Sequence, residues 1–281
     1  MKIKEAIQKG AVSLKMENID TPKMKARLIM QFVMQKDRQY IIVHDQEEMT
    51  QKQEERYKEA IEKIKQGIPL EHLTHQKEFM KLTFFVNENV LIPRQDTEKL
   101  VEEVITIAKP KKKVKILDLC TGSGAIGVSL AKYLPDSEVT ASDISHEAIQ
   151  IAKKNAIYNQ VENQITFIES NLWENIPKEK YDIIVSNPPY IKREVIQNLD
   201  KEVRQEPIIA LDGGWDGLTF YRKIIHLANE YLKFQGHLCL EIGYDQKEEV
   251  IELIQEQKTY ETPICYRDYG GNNRVIITQV K

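Results

Sequence analysis

Two short stretches of this sequence bring together residue types whose spacing could do chemistry. The first is Ser186-Asn187-Pro188-Pro189-Tyr190, directly after the apolar run Tyr181 to Val185. Asn187 carries a side-chain carbonyl acceptor. Pro188 and Pro189 have no N–H, so their carbonyls are displayed without a competing local donor. Two acceptors converging on one point suit a planar NH2 group, each N–H held in its plane while the face of the nitrogen stays open. Tyr190 adds a ring that can stack on a flat amide or base. A proline turn capped by Asn is the plain reading of Asn-Pro alone. The full tetrapeptide after a buried strand, in a chain that also carries a nucleotide-type glycine loop, favours the substrate clamp.

That loop is the second stretch, Asp118-Leu119-Cys120-Thr121-Gly122-Ser123-Gly124-Ala125-Ile126-Gly127. Gly122, Gly124 and Gly127 have the spacing G-x-G-x-x-G, which allows close backbone approach to a cofactor at a helix N-terminus. Asp143 follows the next strand at the distance expected of a carboxylate that grips ribose hydroxyls. Dinucleotide and S-adenosylmethionine sites share these features. Acidic Asp118 ahead of the glycines is unhelpful beside a pyrophosphate and acceptable near a cationic methionine moiety. No hydride-transfer constellation accompanies the loop, and no Gly-Lys-Ser/Thr phosphate loop is present, so S-adenosylmethionine is the better fit. Cys120 has no histidine assignable as a partner and reads as a turn residue lining the cofactor. His72 and His75 could share a helical face, but no third ligand joins them, so no metal is expected.

The elements that must position these residues follow from hydrophobic periodicity. Strand candidates are Val114 to Leu119, Glu138 to Ala141, Ile165 to Ile168, Tyr181 to Val185, His237 to Ile242 and Arg274 to Val280. Amphipathic stretches Ala125 to Leu134, Ala148 to Tyr158, Leu218 to Leu232 and Lys247 to Glu256 lie between them. The alternation predicts a doubly wound, mainly parallel α/β sheet with helices on both faces, its ligands beyond the carboxyl ends of the strands. That edge receives both the glycine loop and Asn187.

The first seventy or so residues read as a small helical bundle. Asp20-Thr21-Pro22 is a cap followed by proline at the first helical position, with Met24, Leu28, Phe32 and Met34 as an apolar stripe. Thr50 with Gln53 is a capping box opening a helix that carries Tyr57, Ala60, Ile61 and Ile64 on one face and stops at Gly67. Leu82, Phe84, Phe85 and Val86, then Val90-Leu91-Ile92, read as a β-hairpin turning at Asn87-Glu88-Asn89, and Asp96-Thr97 begins a helix. The expected division is 1–75 helical bundle, 76–95 hairpin connector and 96–281 catalytic domain.

At 281 residues, one large domain plus a smaller one is the natural organisation. A formal charge of −3 gives no basic excess for holding long nucleic acid, and Lys109 to Lys115 reads as a solvated loop. Cys120, Cys239 and Cys265 are odd in number and far apart, offering neither disulfide framework nor zinc spacing, which suits a reducing compartment. No signal-type core or membrane-length run occurs, so a cytoplasmic location and no membrane partner are expected.

With these residues in view, the sequence resembles the PrmC/HemK family of class I methyltransferases. The resemblance rests on Asp118 to Gly124 with Asn187 to Tyr190. It extends over nearly the whole chain through Gly67-Ile68-Pro69-Leu70, Leu91-Ile92-Pro93-Arg94 with Asp96-Thr97-Glu98, Glu206-Pro207, Gly213-Gly214, Leu240-Glu241-Ile242-Gly243 and Arg267-Asp268. It implies a Rossmann-like S-adenosylmethionine-dependent methyltransferase that leaves S-adenosylhomocysteine. Its substrate would be the glutamine side-chain nitrogen in the Gly-Gly-Gln motif of class 1 peptide chain release factors. Cofactor contacts would fall on Cys120, Thr121, Gly122, Ser123, Gly124, Asp143, Asn171, Leu172 and Asn187. Substrate contacts would fall on Asn187, Pro188, Pro189 and Tyr190, with Asn187, Pro188 and Tyr190 carrying the catalytic roles. Gln95, His75, Met80 and Asn171 depart from the family's usual residues; Asn171 stands where an aspartate is frequent, and its neutral amide can donate as well as accept. The helical bundle would dock the release factor, the chain would be a monomer, and no stable nucleic-acid binding is expected. The rival readings are methylation of an exocyclic base amine in RNA or DNA, a non-catalytic S-adenosylmethionine-binding module, and a dehydrogenase.

Overall fold

The computed structural model describes residues 1–281. The chain divides into two compact units, one of residues 1–75 with 200–205, the other of residues 76–199 and 206–281.

The first unit is helical: α1 (Ile3–Met16), α2 (Pro22–Met34), α3 (Arg38–Val43), α4 (Gln51–Lys65) and the short α5 (Leu70–Thr74). The capping box predicted for α4 forms: Gln53 N–H donates to Thr50 Oγ1 at 3.3 Å and Thr50 N–H to Gln53 Oε1 at 2.9 Å. Tyr57, Ala60, Ile61 and Ile64 are buried as its pattern implies, and the Tyr57 hydroxyl donates to the Ala26 carbonyl at 3.1 Å. The stripe read on α2 is half right, since Phe32 and Met34 pack against the core. Ala26, Ile29, Met30 and Val33 enter the core, whereas Met24 and Leu28 are 55% and 37% exposed. This helix is apolar on two sides, so periodicity alone does not choose between them. Thr21 occupies the cap position in a left-handed conformation (φ +49°) without a side-chain bond. Lys25 pairs with Glu202, which is how the 200–205 segment joins this unit.

The second unit opens with a hairpin of β1 (Gln76–Phe79) and β2 (Leu82–Phe85) in register Phe79↔Leu82. Its turn is Met80-Lys81, both at positive φ, so the expected strand at Val90 to Ile92 is not one. There Asn87 holds a tight turn, its carbonyl accepting from Val90 N–H and its side chain from Asn89 N–H. The Glu206 carboxylate then takes the Ile92 N–H at 2.9 Å, leaving no β2 ladder for that donor to join. The remaining elements are α6 (Glu98–Ala108), β3 (Lys115–Leu119), α7 (Ala125–Tyr133), β4 (Glu138–Asp143), α8 (His146–Tyr158), β5 (Ile165–Glu169), β6 (Tyr181–Ser186), α9 (Thr219–Tyr231), β7 (Leu232–Glu241), α10 (Lys247–Glu256), β8 (Ile264–Arg267) and β9 (Asn273–Gln279).

The seven-stranded sheet has the order β5-β4-β3-β6-β7-β9-β8. β5 through β7 pair in parallel, and β9 runs antiparallel between β7 and β8. Alternate residues of the central strands face opposite layers. Ile116, Ile183 and Val185 join α6 and α7 in one core, whereas Leu117, Leu119 and Ile184 join α9 and α10 in the other. This is the doubly wound three-layer fold that the sequence predicts. β8, short and at the edge, is not among the predicted strands, and β7 begins five residues before the expected His237. No helix is long and apolar enough to cross a membrane.

Candidate active site

The parallel strands end together, and the loops leaving those ends build the site. After β3 the chain turns through Cys120 (φ +62°), Gly122 (φ +54°) and Gly124 (φ +80°) into α7. Asp118, fully buried, organises this turn. Its Oδ2 accepts from Thr121 Oγ1 at 2.6 Å and from Gly127 N–H at 3.0 Å. Gly127 therefore serves the turn: a Cβ there would meet Asp118 Oδ2 at 3.0 Å. Burial pushes the Asp118 carboxyl up to about 7, against the two hydrogen bonds that favour its charged form. Asp118 does not line the cavity at these strand ends, so its part is to tie down the loop.

At the end of β4, Asp143 accepts from Gly122 N–H at 2.8 Å on one oxygen and from Ser145 N–H at 3.0 Å on the other. Burial raises its pKa, while the N–H groups of Ser145, Gly122 and Ile144 oppose the rise. Each carboxylate oxygen keeps a lone pair for a further donor. Asn155 of α8 locks the loop to the hairpin, donating to the Ser123 carbonyl at 2.8 Å and to the Phe85 carbonyl at 3.0 Å. After β5, Asn171 donates its amide to Glu174 Oε1 at 2.7 Å, and Leu172 sits at φ +51° with its carbonyl bonded to the Ser170 hydroxyl.

At the end of β6, Ser186 donates to the Leu119 carbonyl at 2.7 Å, and just beyond it Asn187 donates its amide to Thr97 Oγ1 at 3.3 Å. The segment beyond is pinned from three sides. Ile191 N–H donates to the Leu211 carbonyl and Gly213 N–H to the Ile191 carbonyl, at 3.0 and 2.8 Å. The backbones approach so closely that a Cβ on Gly213 would lie 2.7 Å from Tyr190 Cα. Gln246 Nε2 donates to the Tyr190 carbonyl at 3.0 Å, and the Tyr190 hydroxyl donates to Glu241 Oε1 at 3.3 Å.

These strand ends surround a cavity of about 310 Å³, within the range of small-molecule sites. Of the cofactor and substrate contacts expected from the sequence, all but Gly124, Pro188 and Tyr190 line it. Gly124 instead begins α7, where a Cβ would meet Ala152 at 3.0 Å. Pro188 is buried, and Tyr190 packs against the apolar cluster under the sheet. Burial pushes the Cys120 thiol well above its ordinary range, consistent with a turn residue and not a thiolate nucleophile. Sequence reasoning gave no role to Thr97, Glu241 or Gln246, nor to Arg94 and Glu206, which pair beside the cavity. Glu241 carried a signal: a lone acid in the run Leu238 to Ile242 is headed for burial and needs a partner. Gln246 stands next to no motif.

Comparison with known proteins shows the family. Residues 96–209 match the methyltransferase small domain and residues 5–74 the PrmC N-terminal domain. The release factor glutamine methyltransferase of Clostridium acetobutylicum is 39% identical over 280 residues, covering 99% of this chain and 98% of that protein. The protein of the same name from Fusobacterium nucleatum is 38% identical, covering 98% of this chain and 78% of its own length. A methyltransferase from Pyrococcus furiosus shares the fold, with a TM-score of 0.53 at 17% identity over 72% of this chain and 90% of its own. With 38–39% identity to these relatives over 98–99% of the chain and a matching N-terminal domain, the chain belongs to the release factor glutamine methyltransferase family.

Proposed function

We propose that this protein methylates the side-chain nitrogen of the glutamine in the Gly-Gly-Gln motif of class 1 release factors in the cytoplasm, with S-adenosylmethionine as donor. The observation that carries the reading is Asn187, a neutral amide with its nitrogen bonded to Thr97, on the wall of a cavity formed by the Gly122 loop and Asp143. The wall fits the donor. Gly122 has open space where a Cβ would stand, Asp143 retains acceptor capacity for ribose hydroxyls, and Ile126 and Leu172 offer apolar surface to a base. Cys120, Thr121, Ser123 and Asn171 complete the holding set on the wall, and Gly124 acts behind them by turning the loop into α7. Bound there, S-adenosylmethionine supplies a methyl group made electrophilic by its sulfonium.

The residues of the chain do the rest. A glutamine amide is a poor nucleophile because its lone pair is delocalised into the carbonyl. Asn187 Oδ1 accepts one N–H and the Pro188 carbonyl the other, which fixes the amide plane and turns the face of the nitrogen to the cavity. The same acceptors favour positive charge as it develops on that nitrogen, so no general base is needed before attack, and the methylated nitrogen then releases one of its two protons to solvent. Pro188 acts through its main chain, so its ring need not line the cavity. Tyr190 packs in the apolar cluster behind that wall, and the bonds from its hydroxyl to Glu241 and from Gln246 to its main-chain carbonyl brace the clamp that carries Asn187 and the Pro188 carbonyl. The helical unit docks the body of the release factor; deleting residues before Gly67 is expected to weaken methylation of whole factor more than of a Gly-Gly-Gln peptide.

The test is methyl transfer from labelled S-adenosylmethionine to a purified class 1 release factor. A Gln→Ala change in its Gly-Gly-Gln loop is the control, with bulk RNA and DNA in parallel. Label on the intact factor alone supports the reading. Label on nucleic acid alone overturns it in favour of a base-amine methyltransferase.

A further inference from the structure

Asn187 can present either end of its amide to a substrate, and only one end is an acceptor. Its Nδ2 is bonded to Thr97 Oγ1 at 3.3 Å. Thr97 is buried and has a single hydroxyl proton, which can go to Asn187 or elsewhere. The other polar group beside Thr97 is Glu241, at the end of β7 and fully buried. Glu241 Oε1 accepts from the Tyr190 hydroxyl, and its Oε2 makes no well-formed hydrogen bond. A buried charged oxygen without a donor is costly, and the Thr97 hydroxyl is the nearby group whose rotation can relieve it.

We propose that Glu241 is a positioning residue that sets which way Asn187 faces. As an acceptor-only carboxylate it draws the protons of Thr97 and Tyr190 toward itself, which leaves a Thr97 lone pair to receive Asn187 Nδ2 and turns Asn187 Oδ1 to the substrate. This inference rests on the proposed glutamine methylation. One ionised group then orients both the acceptor and the ring of the Asn187 to Tyr190 clamp without touching the substrate.

The surroundings make that orientation sensitive to pH. Facing the carboxylate are Thr97 and Asp96 from the turn before α6, Tyr190 beyond β6, and Arg274 of β9; Tyr221 of α9 donates to the Glu241 main-chain carbonyl. Arg274 directs its N–H groups to Asp268, Asp96 and the Ile242 carbonyl, so it helps Glu241 only through space. Burial is the largest influence and lifts the carboxyl to about 7, with Thr97, Arg274 and Tyr190 opposing and Asp96 adding to the rise. Protonated, Glu241 can donate to Thr97, Thr97 can donate to Asn187 Oδ1, and the amide nitrogen then faces the substrate.

Glu241→Gln in the full chain tests this. Turnover on release factor is expected to fall about tenfold or more, short of the loss from removing the acceptor itself. Cofactor affinity should hold within about twofold, and the rise in turnover through about pH 7 should vanish. Thr97→Val should behave alike, and Thr97→Ser should restore turnover. Wild-type turnover and pH profile in Glu241→Gln, or an unaffected Thr97→Val, would overturn the proposal. A second readout needs no turnover: the Asn187 side-chain amide signals in asparagine-15N-labelled protein, assigned by their loss in Asn187→Ala. They should shift through about pH 7 in the wild type and stay fixed in Glu241→Gln. If the wild type methylates no Gly-Gly-Gln protein yet those signals titrate, the function is wrong and the relay stands. If it methylates while they stay flat, the relay alone fails.

Discussion

Truncating the acceptor, Asn187→Ala, separates chemistry from folding more cleanly than any other change in the site. The folding cost is small. Asn187 is only half-buried, its one protein hydrogen bond is a 3.3 Å neutral contact to Thr97, and losing such a bond costs about 1 kcal/mol. In a protein of this size that lowers the melting temperature by about 2–4 °C. The chemical cost is larger, because an oriented group that acts as charge develops contributes about 3–4 kcal/mol, or on the order of 10² to 10³ in rate. Cofactor affinity should fall by less than about tenfold, since Gly122, Asp143 and Leu172 remain on the wall. Single-turnover transfer of labelled methyl to release factor, with cofactor affinity measured by calorimetry on the same samples, reads both quantities. Turnover within about threefold of wild type would refute the clamp. So would a loss explained wholly by failure to bind cofactor.

Three further outcomes are expected. Asp143→Ala removes the ribose acceptor and orphans the Gly122 and Ser145 N–H groups, so calorimetry should show cofactor affinity down by about tenfold or more. Gly213→Ala drives a methyl group into the Tyr190 backbone and should cost about 1–3 kcal/mol in urea unfolding, with turnover lost beyond that share. Asp118→Asn keeps an oxygen for Thr121 and Gly127 and places NH2 where Oδ1 has no partner. The folded carboxyl, at about 7, lies above its ordinary 3.8, so the stability it contributes is complete below about pH 4 and is lost as pH rises through 7. The stability of Asp118→Asn relative to wild type should therefore grow over that window, by about 4 kcal/mol at most, and a difference that is flat with pH would contradict the assignment.

What could be read from the sequence was what neighbours in the chain decide. β3 and β6 are continuous apolar runs, one ended by a glycine turn and the other by two prolines, so their strand ends and the site between them were legible. The hairpin was displaced because Met80-Lys81 adopts positive φ without the glycine or asparagine that marks such turns. The buried face of α2 was only partly read because both its sides are apolar and the helices packed on it, α1, α3, α4 and α5, decide between them. Thr97, Glu241 and Gln246 reach the clamp from distant segments; the lone acid Glu241 signalled its own burial but not its partners, and Thr97 and Gln246 left no periodic trace. The same limit hid residues 200–205, whose place in the helical unit rests on contacts such as Lys25 with Glu202.

That last segment sets a clock on the ribosome. The helical unit has its first 75 residues early, but the strand of chain that carries Glu202 is made about 130 residues later. At about 5–20 residues per second, the unit waits on the order of 6 to 26 s for its final piece. Throughout that interval Lys25 lacks its partner and Gly67 lacks the Lys201 side chain that closes over it. The chain thus completes its smaller unit only after most of its own message has been read.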